Sequence, residues 1–152
     1  MRLINFVFSI TLALVLAGCS NKDNGVKCTT AAEDDAKMQS YITANGINAT
    51  KHASGLYYEI IEPGSGPTPN INSTVKANYT GKYTNNTSFD SGEASFPLSG
   101  VIEGWQVGIP LINQGGKIKL IIPPYLGYGC ADYRGIPGNS VLVFDVELLE
   151  VQ

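Results

Sequence analysis

The sequence predicts an α+β fold: an antiparallel β-sheet packed against one short α-helix, with another short helix ahead of it. Three observations carry this. After Gly55 the chain breaks into short runs of β-branched, aromatic and aliphatic residues punctuated by Gly, Pro and Asn, the pattern of strands joined by tight turns. The last run, Val141–Val151, sets Leu142, Phe144, Val146 and Leu148 against Val143, Asp145, Glu147 and Leu149, so one face is continuously apolar and should line the core. Thr30–Asn45, in contrast, is rich in Ala, Glu, Lys, Met and Gln and contains neither Gly nor Pro.

Residues 1–18 begin with Met1-Arg2, run apolar from Leu3 to Leu16 except at Asn5, Ser9 and Thr11, and end in Ala17-Gly18. A basic start, an apolar centre too short to span a bilayer and small residues before the cut are what a secretory signal requires. Leu16-Ala17-Gly18-Cys19 resembles the bacterial lipobox, which implies that Cys19 is acylated and becomes the first residue of the mature protein. The expected location is the bacterial cell envelope, with the protein lipid-anchored to a membrane, expected to be the outer one, and never crossing it. Residues 19–30 are then the lipidated cysteine and a polar, solvated linker. With Cys19 set aside, Cys28 and Cys130 remain; an oxidising compartment allows them a disulfide, and two free thiols fit the sequence equally well.

Residues 31–54 are expected to form a helical extension. Its helix spans Thr30–Asn45, with Gly46 as the stop, Glu33-Asp34-Asp35 favourably placed in the first turn, and Ala36, Met38, Tyr41 and Ile42 on the apolar side. Residues 55–152 form the principal domain, with strands over Leu56–Glu62, Thr74–Tyr83, Lys117–Ile122 and Val141–Val151. Val101–Leu111, carrying Trp105 and Pro110, suits a short helix that crosses the sheet and ends at or before the proline. Gly115-Gly116 reads as a hairpin turn.

Composition excludes several functions. A net charge of -3 with ten Lys and Arg residues and no basic cluster leaves no footprint for a phosphate backbone, so nucleic acid is not an expected partner. The single histidine, His52, sits in a polar stretch and reads as a surface side chain, which leaves no Ser-His-Asp or Cys-His arrangement. No Cys-x-x-Cys, His-rich spacing or phosphate loop occurs, and no cofactor or metal is expected.

What remains is a dispersed set of aromatic and aliphatic residues with one acid among them. Val75-Lys-Ala-Asn-Tyr79-Thr-Gly81, Phe89-Asp90-Ser91, Val101-Ile102-Glu-Gly104-Trp105, Ile121-Ile-Pro-Pro124 with Tyr128-Gly129, and Leu142-Val-Phe144-Asp-Val-Glu-Leu148 resemble, in order and spacing, the FKBP-type peptidyl-prolyl cis/trans isomerases. The resemblance runs from about Gly55 to Val151. It implies a strongly bent antiparallel sheet wrapped around one short helix, an active site in the hollow between them, proline-containing polypeptides as substrates, and macrolides as inhibitors; a monomer is expected.

Carried over residue by residue, the resemblance makes Trp105 the floor of the pocket. It assigns Tyr79, Phe89, Phe96, Val101, Ile102 and Phe144 to the walls and Asp90 to the rotating carbonyl. The Ile102 N–H and the Tyr128 hydroxyl become donors to the substrate's flanking carbonyls, with Ile136 a further substrate contact. Two departures stand out. Ala94 replaces an aromatic residue frequent two positions before Phe96, which lowers one wall and is expected to weaken macrolide binding. Gly138 replaces a second proline after Pro137, which is expected to loosen that turn. A bridge from Cys130 to Cys28 would brace the loop after Tyr128. The competing reading is a non-catalytic envelope module that keeps the fold and uses the pocket only to hold a peptide or partner.

Overall fold

The computed structural model describes residues 25–152; Cys19, the apolar segment 1–18 and the first part of the linker lie outside the described residues. Helix α1 (Ala31–Asn45) leads to β1 (Thr50–Lys51), β2 (Tyr57–Glu62), β3 (Thr74–Tyr83) and β4 (Ser88–Pro97). A 3-10 turn at Leu98–Gly100, helix α2 (Glu103–Gly108) and a second 3-10 turn at Ile109–Leu111 follow, then β5 (Lys117–Ile122), a third turn at Pro124–Leu126 and β6 (Leu142–Val151). The strands form one antiparallel sheet in the order β1-β2-β5-β6-β3-β4.

Strand periodicity divides the apolar residues between the two faces of this sheet. Leu142, Phe144, Val146 and Leu148 of β6 join Ile118, Leu120 and Ile122 of β5 on the inner face, where Trp105 and Ile109 of the α2 segment cover them. Each such fully buried Leu or Ile contributes about 1.5–3 kcal/mol relative to exposure. On the outer face Val143 of β6, Ile121 of β5 and Tyr57 of β2 pack against Met38 and Tyr41 of α1. The last strand is therefore buried on both sides over part of its length.

Helix α1 is defined by its ends more than by its weakly apolar side. The Thr30 side chain accepts from the Glu33 N–H and the Glu33 carboxylate accepts from the Thr30 N–H, a reciprocal capping box. At the other end Gly46, at φ 62°, adopts the left-handed conformation that closes the last turn. Asp34, Met38 and Tyr41, at spacings of four and three, are buried, whereas Ala36 is exposed on the far side of the helix, contrary to expectation. The Asp34 carboxylate is buried and accepts the Thr29 hydroxyl at 2.7 Å.

The strands β1 and β4 were not legible in the sequence. Strand β4 is an edge strand hydrogen-bonded only to β3 and almost entirely exposed, so Ser, Asp, Gly and Glu are tolerated where an inner strand would need apolar residues. Strand β1 is two residues long. The Gly115-Gly116 turn joins the 3-10 turn after α2 to β5, not one strand to another.

An ion cluster ties three strands together outside the core. The Asp145 carboxylate of β6 accepts from Lys82 of β3 at 3.2 Å and from Lys119 of β5. Partial burial pushes the Asp145 carboxyl up, but the Lys119 and then the Lys82 ammonium groups outweigh it and hold its pKa below the ordinary value. A carboxyl with a depressed native pKa stabilises the fold above its unfolded pKa, and that contribution is lost as pH falls through the native value. The urea midpoint is therefore expected to drop below about pH 4. In Asp145→Asn the drop should be visibly smaller; an identical acid profile in the variant would show that the cluster plays no part.

Candidate active site

The inner face of the sheet and α2 do not close fully on one another, and between them lies a hollow of about 570 Å³. Tyr79 of β3, Asp90 and Phe96 of β4, and Phe144 of β6 line one side of it. Gly100, Val101 and Ile102, between the 3-10 turn and α2, line another, with Trp105 of α2 at the base. The loop after β5 supplies Tyr128, Tyr133, Arg134 and Ile136.

Trp105 is the centre of an aromatic cluster. It is 4% exposed and meets Tyr79 at 5.4 Å and Phe144 at 5.3 Å edge-on, and Phe96 at 5.3 Å in a tilted contact. Edge-to-face pairs at such distances contribute roughly 0.5–1.5 kcal/mol each beyond area burial, so the indole is held rigidly. Its Nε1 is buried with no hydrogen-bond partner among the described residues. The base of the hollow is therefore built of aromatic rings that meet edge-on and tilted, with the indole N–H as a buried donor among them.

Phe89 is placed differently from the other expected wall residues. It does not line the hollow; it stands behind Phe144, in edge contact at 5.6 Å, and packs on Tyr83 at 4.9 Å. The reason is a β-bulge: Gly81 pairs with Asp90 and the next residue, Lys82, pairs with Ser88, which leaves Phe89 as the extra residue. Gly81 permits this arrangement, because a Cβ there would stand 2.7 Å from Phe89 and 2.8 Å from Phe144.

The polar groups sit at the rim. The Tyr79 hydroxyl donates to Asp90 Oδ2 at 3.0 Å, orienting an otherwise exposed carboxylate. Burial pushes the Tyr79 phenol up, and its hydrogen bond to Asp90 adds to the shift. Burial likewise raises Tyr128, with the Asp90 and Tyr133 charges adding to it, so both phenols remain donors well above neutral pH. Among the described residues the Tyr128 hydroxyl and the Ile102 N–H have no partner. Ile102 is the N-cap of α2, and its own carbonyl accepts from Trp105 and Gln106. The Gln106 side chain donates to the Val101 carbonyl at 2.7 Å. Because a trans peptide sets its C=O and N–H in opposite directions, that bond fixes the direction of the Ile102 N–H.

Three residues that sequence reasoning did not single out also line the hollow: Gly100, Tyr133 and Arg134. Tyr133 stacks on Tyr128 with centroids 5.1 Å apart, and the Arg134 guanidinium lies over Tyr133 at 5.4 Å. Nothing in the composition of that exposed loop marked them. Ala94 is exposed on β4 between Asp90 and Phe96. The expected looseness at Gly138 is overturned. Its N–H donates to Asp132 at 2.8 Å, which a proline could not do, and a Cβ would stand 2.1 Å from the Cys130 carbonyl oxygen. Glycine is what lets this loop close tightly. Cys130 is also disulfide-bonded to Cys28, with Cα atoms 4.9 Å apart.

Comparison with known proteins bears on this geometry. The sequence model of the family described as FKBP-type peptidyl-prolyl cis-trans isomerase matches residues 66–149, a span that includes every residue lining the hollow. The FKBP-type peptidyl-prolyl cis-trans isomerase FkpA of Escherichia coli K12 is 45% identical over 131 residues, covering 80% of this chain and 48% of that protein. A probable FKBP-type peptidyl-prolyl cis-trans isomerase of Haemophilus influenzae is 40% identical over 149 residues, covering 94% of this chain and 61% of its own length. The chain thus spans about half the length of the FkpA sequences it matches. The crystal structure of Escherichia coli FkpA superposes with a TM-score of 0.72 at 43% identity, over 80% of this chain and 61% of that one. That of AtFKBP13 gives 0.63 at 35% identity, over 69% of this chain and 99% of that one.

Proposed function

The chain belongs to the FKBP-type peptidyl-prolyl cis-trans isomerase family, and from that premise we propose that it rotates Xaa-Pro bonds of client polypeptides in the hollow above Trp105. The observation that carries the proposal is the combination of an aromatic base, where Trp105 meets Tyr79, Phe96 and Phe144, with two unpartnered donors at its rim, Ile102 N–H and the Tyr128 hydroxyl. An Xaa-Pro bond rotates over a barrier of roughly 18–20 kcal/mol because amide resonance keeps it planar. Rotation removes that resonance and its charge separation, so a site poor in water favours the twisted amide over the planar one. In this reading Trp105, Phe96 and Phe144 receive the proline ring, Val101 and Ile136 flank it, and Asp90, oriented by Tyr79, faces the rotating carbonyl. Ile102 N–H and Tyr128 hold the flanking carbonyls. Phe89 acts indirectly by backing Phe144. The low wall at Ala94 disfavours bulky macrolides, and the protein works as a monomer.

The test is the cis-to-trans rate of an Xaa-Pro peptide with the parent protein, Asp90→Ala and Tyr128→Phe. We expect clear acceleration, reduced by about tenfold in each variant, which corresponds to roughly 1.4 kcal/mol of transition-state stabilisation. A folded parent that binds the peptide without accelerating it would leave a binding module in place of an enzyme.

We further propose that the protein works in the bacterial cell envelope, tethered through acylated Cys19, where proline-containing envelope polypeptides are its clients. The lipobox-like Leu16-Ala17-Gly18-Cys19 and the polar residues after it support this. Labelled palmitate fed to cells expressing the full chain should enter the protein and be absent from Cys19→Ser. Equal label in both would remove the anchor.

A further inference from the structure

The loop that brings Tyr128, Tyr133, Arg134 and Ile136 to the hollow is gripped at its base by the chain that precedes α1. Asn139 N–H donates to the Gly129 carbonyl at 3.0 Å, closing the loop. Lys27–Thr29 seats on that closure. Cys28 is bonded to Cys130, the Thr29 N–H donates to the Asn139 side-chain oxygen at 2.9 Å, and the Asn139 amide donates to the Lys27 carbonyl at 2.8 Å. Thr29 is itself tied to the buried Asp34 of α1. The far end of the loop is exposed over residues 131–135 and is tied mainly to the loop itself: Asp132 accepts from the Gly138 N–H, Tyr133 stacks on Tyr128, and Tyr133 and Ile136 pair across the Arg134-Gly135 turn. Its position over the hollow is therefore set from the base.

We propose that Lys27–Thr29 is a latch that sets how tightly the hollow holds a proline segment, with Asn139 as its positioning residue. The inference rests on the isomerase reading for its ligand. Asn139 lies at φ 58°, a left-handed conformation that Asn and Gly adopt with little strain. Asn139→Gly therefore keeps the backbone conformation accessible and removes the carboxamide together with its methylene. The Cys28→Ser/Cys130→Ser pair removes the covalent half of the latch.

Trp105 is the only tryptophan, so its fluorescence reads peptide binding in the hollow independently of turnover. In both variants the Kd of a proline-containing peptide and the KM for isomerisation should rise together, about tenfold in the cysteine pair, with kcat within about twofold of the parent. Amide exchange should quicken over residues 128–136 and stay unchanged in β5 and β6. Unchanged Kd in both variants would overturn the latch, as would a rise accompanied by faster exchange throughout the sheet, which would assign these bonds to general stability. A parent that binds the peptide yet accelerates nothing would sink the isomerase reading alone, because the Kd comparison still tests the latch.

Discussion

Trp105→Leu is expected to lower kcat/KM for an Xaa-Pro peptide by roughly ten- to a hundredfold, a loss of about 1.4–2.7 kcal/mol of transition-state stabilisation. The indole makes three aromatic contacts, with Tyr79, Phe96 and Phe144, and it is the surface on which those residues converge. A leucine keeps the base apolar but leaves these rings without a common partner. Water then enters where the twisted amide needs it excluded. Stability falls as well, by less than the roughly 3–5 kcal/mol typical of a truncation to alanine, since leucine refills part of the volume. Measuring the rate well below the thermal transition separates the two effects. A folded Trp105→Leu protein as active as the parent would remove Trp105 from the chemistry.

Gly104→Ala is expected to destabilise the protein by about 1–3 kcal/mol although alanine is the better helix former. A Cβ at Gly104 would stand 2.6 Å from Ile122 Cγ2 and 2.7 Å from its Cδ1, and Ile122 is completely buried under α2. Gly108, one turn further along, meets Leu120 Cδ2 at 2.5 Å in the same way. These two glycines let α2 lie directly on β5. The gain in helix propensity, roughly 0.5–1 kcal/mol, is smaller than the cost of lifting the helix or forcing Ile122 off its rotamer. Trp105 is adjacent to Gly104, so the displacement should also reach the hollow. Gly92→Ala is the control: it lies in exposed β4 with nothing within 4 Å of its would-be Cβ. Equal urea midpoints for Gly104→Ala and Gly92→Ala would show that the close seat does not exist.

The two glycines also indicate where sequence reading runs out. Gly104 was legible as part of Val101-Ile102-Glu-Gly104-Trp105, but the reason for it, Ile122 beneath, depends on a strand thirteen positions further along the chain in a register no local pattern reveals. Phe89 shows the same limit from the other side. Its position in the motif pointed to the wall, and the bulge opposite Gly81 turned it behind Phe144. Gly138 looked like a loosened turn because a proline was missing, whereas the Cys130 carbonyl occupies the space that any side chain would need.

What the sequence determined by itself is everything that repeats along the chain at a period of its own. The alternation of β6, the runs that became β2, β3 and β5 and the helix-forming stretch Thr30–Asn45 follow from local composition and spacing, and the aromatic residues of the site were legible through the family resemblance. What only the tertiary structure decided is whatever depends on distant partners. The edge strand β4 carries no apolar stripe because it is almost entirely exposed, with neither face covered along most of its length. Tyr133 and Arg134 reach the hollow because a loop folds back over it, and Cys28 meets Cys130 across 102 positions of chain. Burial imposes a period on a sequence only where a whole face is covered. Single long-range contacts impose none, so they become visible only when the chain has folded.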